Sequence, residues 1–111
     1  FLLQALQYEV VAYGSAIDFL KDCTALVTCL IVDQHMPEMT GLDLIARLRR
    51  DGWAMPVLLV SGALTPVLQA RAAELGVRTL AKPFGDNELL HFVAAHVSRT
   101  AQLPRYAIAR P

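Results

Sequence analysis

With 111 residues the chain is long enough for one domain of ordinary size and too short for two. Ten basic and ten acidic side chains cancel, so there is no positive footprint to suggest direct nucleic-acid binding or attachment to a membrane surface. A 55% hydrophobic fraction argues against disorder and suits a large buried sheet, yet no apolar run reaches the roughly 18 residues of a membrane span.

In chain order, "FLLQALQ" (1–7) reads as a helical scrap without the strand that should precede it. "YEVVAY" (Tyr8–Tyr13) reads as a strand closed by Gly14. Ser15 then stands as an N-cap with Asp18 three residues on, opening a helix with Ala16, Phe19, Leu20 and Cys23 on one face. "CLIVD" (29–33) is apolar until its last residue, the pattern of a strand covered by helices on both sides. Thr40 or Gly41 starts the next helix, which lines up Leu42, Ile45, Ala46 and Leu48 and ends near "RRDG", where arginines suit the negative end of the dipole.

"MPVLLVSG" (55–62) is another buried strand, followed by a helix with Pro66 in its first turn and Gly76 closing it. "VRTLAKPF" (77–84) reads as a final short strand, and "DNELLHFVAAHVSR" (86–99) as a helix with Leu89, Phe92, Val93 and His96 on one face. Beyond Arg99 the period fades, so residues 1–99 are expected to form the domain and 100–111 a tail or linker. Strands alternating with helices predict an α/β fold built on a parallel sheet.

Cys23 and Cys29 lack the spacing of a redox or zinc motif and read as buried thiols in a reducing compartment. His91 and His96 are five apart and do not share a helix face, which argues against a zinc site. No secretory leader is visible, so a cytoplasmic location is expected. The chain opens on Phe1 with no initiator methionine, and residues are expected to precede it in the gene product.

In doubly wound sheets, ligands bind at the carboxyl ends of the strands. Asp33, Ser61 and Lys82 each end or follow an apolar run at such a position. A carboxylate, a hydroxyl and an ammonium converging there could hold one oxyanion. Singly, each also fits a structural role: Asp33 as a turn cap, Ser61 as the start of a turn, Lys82 as a solvated charge.

The segments "LIVDQHMPEMTGLDLI", "VLLVSGA" and "TLAKPF" closely resemble the receiver domain of two-component response regulators. The resemblance covers nearly the whole chain. It implies a flavodoxin-like sheet with strand order 2-1-3-4-5 when complete, of which the first strand is absent here. It also implies that Asp33 accepts a phosphoryl group from a sensor histidine kinase or phosphotransfer protein. Mg²⁺ would bridge Asp33 and the phosphoryl oxygens, with the backbone carbonyl of His35 as another ligand. Lys82 would pair with one phosphoryl oxygen and Ser61 with another. Gly62 would leave access for the donor, and Pro37 and Gly41 would shape the turn, Gly41 through its dihedral freedom. The Lys82–Pro83 peptide would be cis.

Two departures stand out. The acidic pair that ends the family's first strand has no counterpart, so Mg²⁺ should bind weakly or not at all in this chain. The aromatic usually found three residues before the lysine, where it reports the switch, is replaced by Thr79. Phosphorylation would bias a protein-interaction surface serving a homodimer or a downstream output domain. The alternative is a non-phosphorylated receiver-like adaptor for protein contacts. A phosphatase or nucleotide-binding protein fits less well, because no Gly-rich phosphate loop occurs. Without its first strand, the standard arrangement should not form a stable monomer. An upstream segment, another chain or a rearranged sheet would have to close the gap.

Overall fold

Apolar runs in this chain become strands because each can bury both faces under helices. In the computed structural model the described residues are 9–22, 29–95 and 105–109, with side chains over 13–22 and 29–92. They form β1 (Glu9–Tyr13), α1 (Ala16–Asp22), β2 (Cys29–Asp33), α2 (Gly41–Arg50), β3 (Val57–Ser61), α3 (Pro66–Glu74), β4 (Arg78–Ala81), α4 (Asp86–Ala95) and β5 (Arg105–Ala109). The scrap 1–7, Cys23 and His96 lie outside the described residues.

Every residue of β2 and β3 is buried. Alternate side chains go to opposite faces, as strand geometry requires. Leu30, Val32, Val57 and Leu59 join Phe19 of α1, Leu42, Ile45 and Leu48 of α2 and Ala72 of α3 in one core. Cys29, Ile31, Leu58 and Val60 meet Leu89 and Phe92 of α4 in the other. Burial pushes the Cys29 thiol up to about 12 by desolvation, and among the described residues it forms no disulfide.

The helix boundaries follow local chemistry. Ser15 Oγ accepts from the Asp18 amide at 3.1 Å. Thr40 and Asp43 form a reciprocal capping box on α2. Thr65 caps α3 just before Pro66, and Gly76 takes a left-handed φ of 71° after its last turn. Arg49, near the end of α2, donates to the carbonyls of Leu75 and Trp53 at 3.1 and 2.9 Å, tying the ends of α2 and α3 together.

Among the described residues the sheet has five strands in the order β1-β5-β2-β3-β4, and every pairing is parallel. These are the positions of a flavodoxin-like doubly wound sheet. The inner position, expected to belong to a strand upstream of Tyr8, is held by β5 from the other end of the chain. Residues 105–109 are therefore part of the sheet and not of a tail or linker, and β4 is not the last strand. β5 runs in register with both neighbours: Ala109 lies opposite Tyr13 on one side and Val32 on the other. The five residues are bracketed in sequence by Pro104 and Pro111, which read as loop punctuation. Their strand state comes from long-range pairing, which local propensity does not encode.

Candidate functional site

The carboxyl ends of β2, β3 and β4 meet at one rim of the sheet. Asp33 ends β2, Ser61 ends β3, and Lys82 follows directly after β4. Parallel register sets them side by side: Asp33 pairs with Val60, and Ser61 pairs with Ala81.

Asp33 is only 7% exposed, and both its oxygens are engaged. Oδ1 accepts the backbone N–H of His35 at 3.0 Å, and Oδ2 pairs with the Lys82 ammonium. Burial of a carboxylate is costly unless it is paired and hydrogen-bonded, and here it is both. The Lys82 side chain stays 43% exposed, so the ion pair opens to solvent on the lysine side.

Ser61 is fully buried, and its hydroxyl oxygen accepts the Ala63 N–H at 3.1 Å. Its carbonyl accepts the backbone N–H of Lys82 at 2.8 Å, which fixes where the lysine leaves β4. The Lys82–Pro83 peptide is cis, as the resemblance implies. Gly62 opens on free space, with nothing within 4 Å of where a Cβ would stand. Thr79 lies inside β4 opposite Leu59 and is half-buried, away from the rim. The His35 side chain is exposed, and its backbone amide is what touches Asp33.

The loop after Asp33 is held from several points. The Gln34 amide donates to Val60, and the Gly41 amide donates back to Gln34 at 3.1 Å. Gln34 Oε1 accepts the Leu42 N–H at 2.9 Å, satisfying an orphan amide at the start of α2. Sequence reasoning missed Gln34, because a single side chain bracing a loop leaves no periodic signal. Glu38 takes a left-handed φ of 69°, next to the Pro37 carbonyl that accepts from Met39.

For Gly41 the structure corrects the expected reason. Its φ is not in the left-handed region, where among the described glycines only Gly52 and Gly76 lie. What demands glycine is space: a Cβ would stand 2.7 Å from the Asp33 carbonyl oxygen.

Among the described residues no three His, Cys, Asp or Glu side chains cluster to hold a metal, and β5, which borders β2, carries no carboxylate in its sequence "RYAIA". What the rim does offer is a buried carboxylate, an ammonium against it and an open approach over Gly62.

Residues 1–94 match the response regulator receiver domain family. Nodulation protein W of Bradyrhizobium diazoefficiens is 37% identical over 100 residues, covering 88% of this chain and 44% of the relative. The response regulator protein TodT of Pseudomonas putida is 33% identical over 91% of this chain and 45% of its own length. The transcriptional regulatory protein FixJ of Azorhizobium caulinodans is 33% identical over 99% of the chain and 53% of the relative. The chain thus spans about half the length of the curated relatives it matches. Among solved structures, the chemotaxis protein CheY4 of Vibrio cholerae superposes with a TM-score of 0.73 at 25% identity, covering 86% of this chain and 82% of that one. FixJ-N gives 0.76 at 23% identity over 90% and 84%, a likeness of fold. Built on this fold and matched over most of its length, the chain belongs to the response regulator receiver domain family.

Proposed function

We propose that this domain is a phosphoacceptor in two-component signalling, with Asp33 as the group that takes the phosphoryl. The observation that carries the reading is the rim itself: Asp33, buried at a strand end, faces Lys82 on one oxygen and a backbone amide on the other. The Asp33 carboxylate, held against the Lys82 ammonium, supplies the oxygen nucleophile. The obstacle is charge, because an anion must approach an anion, and phosphoryl transfer is mainly positioning and charge neutralisation.

Lys82 supplies that neutralisation. A carboxylate oxygen of Asp33 attacks phosphorus on the phosphohistidine of a kinase or phosphotransfer partner. The P–N bond breaks, an acyl P–O bond forms, and the departing imidazole nitrogen keeps the bonding pair and is protonated from solvent. The ammonium moves from the carboxylate to a phosphoryl oxygen, a charge-assisted contact. Ser61 supports the same oxyanion if its hydroxyl turns from the Ala63 amide. The product of the transfer is a changed surface for an output domain or a second copy, in the cytoplasm.

A second reading, a receiver-like adaptor that is never phosphorylated, is favoured by one observation: no second carboxylate stands with Asp33 in a metal-holding cluster among the described residues. The two are separated by incubating the chain with acetyl phosphate, with and without Mg²⁺, and measuring intact mass. The expected result is one added phosphoryl group, labile to base, and none in Asp33→Asn. Undiminished labelling of Asp33→Asn would remove Asp33 from the mechanism, and no labelling of the parent chain would leave the adaptor.

A further inference from the structure

Gln34 directly follows Asp33, and its polar groups are committed to two different elements. Its amide donates to the Val60 carbonyl at 2.9 Å, which carries the contact with β3 one residue beyond Asp33. Its carbonyl accepts the Gly41 amide at 3.1 Å, and its Oε1 accepts the Leu42 amide at 2.9 Å. Gln34 is thus planted on β3 on one side and on the start of α2 on the other. The Gln34 carbonyl and the His35 N–H belong to one peptide group, which is planar and turns as a unit. While α2 grips that peptide by its oxygen, its N–H donates to Asp33 Oδ1 at 3.0 Å. With Oδ1 held in this way, Oδ2 is the oxygen turned to the Lys82 ammonium.

We propose that Gln34 is a positioning residue for phosphoryl transfer, bracing the Gln34–His35 peptide so that Oδ2 of Asp33 is the oxygen that attacks phosphorus. Gln34 touches neither the donor nor phosphorus. It acts through the peptide it shares with His35, as a supporting residue behind the reacting group. With acetyl phosphate as donor, the Oδ2–P bond forms and the bond from phosphorus to the acetyl oxygen breaks. Acetate leaves with the bonding pair. Loss of the Oε1 contact frees one end of the brace, and small errors of orientation at a reacting atom are costly in rate. The effect on rate rests on the phosphoacceptor reading of Asp33, whereas the hold on Oδ1 does not.

The test uses the 1–111 chain with Gln34→Met, which keeps the length of the side chain and removes the Oε1 acceptor. Gln34→Glu, which keeps an acceptor oxygen, is the conservative partner. Initial rates of labelling by acetyl phosphate with Mg²⁺ are followed by intact mass over a range of donor concentrations. They are corrected to the folded fraction with the fluorescence of Trp53, the chain's single tryptophan. In Gln34→Met the saturating rate should fall about tenfold, with the half-saturating concentration of donor little changed. Gln34→Glu should recover most of that rate. By NMR, the Leu42 and His35 amides should exchange with deuterium about tenfold faster in Gln34→Met and at the parent rate in Gln34→Glu. Where Gln34→Met is too unstable, Gln34→Asn, whose shorter amide does not reach Leu42, serves the same comparison. Labelling of Gln34→Met at the parent's saturating rate, or a His35 amide as protected there as in the parent, would overturn the proposal. If the parent chain takes no label at all, the phosphoacceptor reading falls by itself. The exchange of the His35 amide then decides alone whether Gln34 holds the Asp33 carboxylate.

Discussion

A methyl group on Gly41 has nowhere to go. It would lie 2.7 Å from the Asp33 carbonyl oxygen, 2.7 Å from Leu59 Cδ1 and 2.9 Å from Val32 Cγ1. The two side chains could yield a little, but the carbonyl belongs to the backbone that positions the Asp33 carboxylate. Gly41→Ala should therefore cost about 1–3 kcal/mol of stability and slow labelling of Asp33 by acetyl phosphate. Urea unfolding and intact mass report the two effects, and a variant as stable and as readily labelled as the parent would show slack in this turn. Asp33, Ser61 and Lys82 were legible in the sequence because each interrupts an apolar run at the point where a strand must end. The reason for Gly41 was not. A glycine needed for dihedral freedom and one needed for space look the same in a sequence, and only the approach of α2 to the end of β2 distinguishes them.

At the scale of elements, α2 is the part of the scaffold most directly coupled to the site. Its first amides are satisfied by the Asp33 loop and by its own cap: Leu42 donates to Gln34 Oε1, and Asp43 donates to Thr40 Oγ1 at 3.2 Å, while Asp43 accepts the Thr40 amide at 3.3 Å. Thr40→Ala removes one half of that box and should lower stability by about 1 kcal/mol. Thr40→Ser, which keeps the hydroxyl, should recover most of it. Equal losses for both variants in urea titrations would assign the effect to packing of the threonine methyl. The helices announced themselves because caps, apolar stripes and closing residues occur within a few positions of each other, as at Ser15, Thr40, Pro66 and Gly76. β2 and β3 did so through continuous apolar runs. β5 has neither signal. Its partners, Glu9–Tyr13 and Cys29–Val32, lie far away in sequence, and the six residues between Pro104 and Pro111 carry no period of their own.

For the molecule as a whole, this placement of β5 makes stability a property of both ends of the chain together. β1 and α1 lie at one edge of the sheet, and β2, β3 and β4 form the remainder, with β5 the sheet contact that joins them. Phe19 of α1 adds a second join, since it is fully buried in the core it shares with Leu30, Ile45 and Leu59. Loss of either join leaves apolar surface and strand edges that neither part can cover alone. A single cooperative transition is therefore expected, as for most small domains. Trp53, the chain's single tryptophan, packs against the α1–α2–α3 core, so its fluorescence follows that side. Far-UV ellipticity follows all the helices and strands. The two signals should give superimposable urea transitions in the 1–111 chain. In Ile108→Pro both signals should fall together at lower urea, because Trp53 packs against the core that α1 shares. Separate transitions in the parent chain would mean that β5 does not unite the sheet.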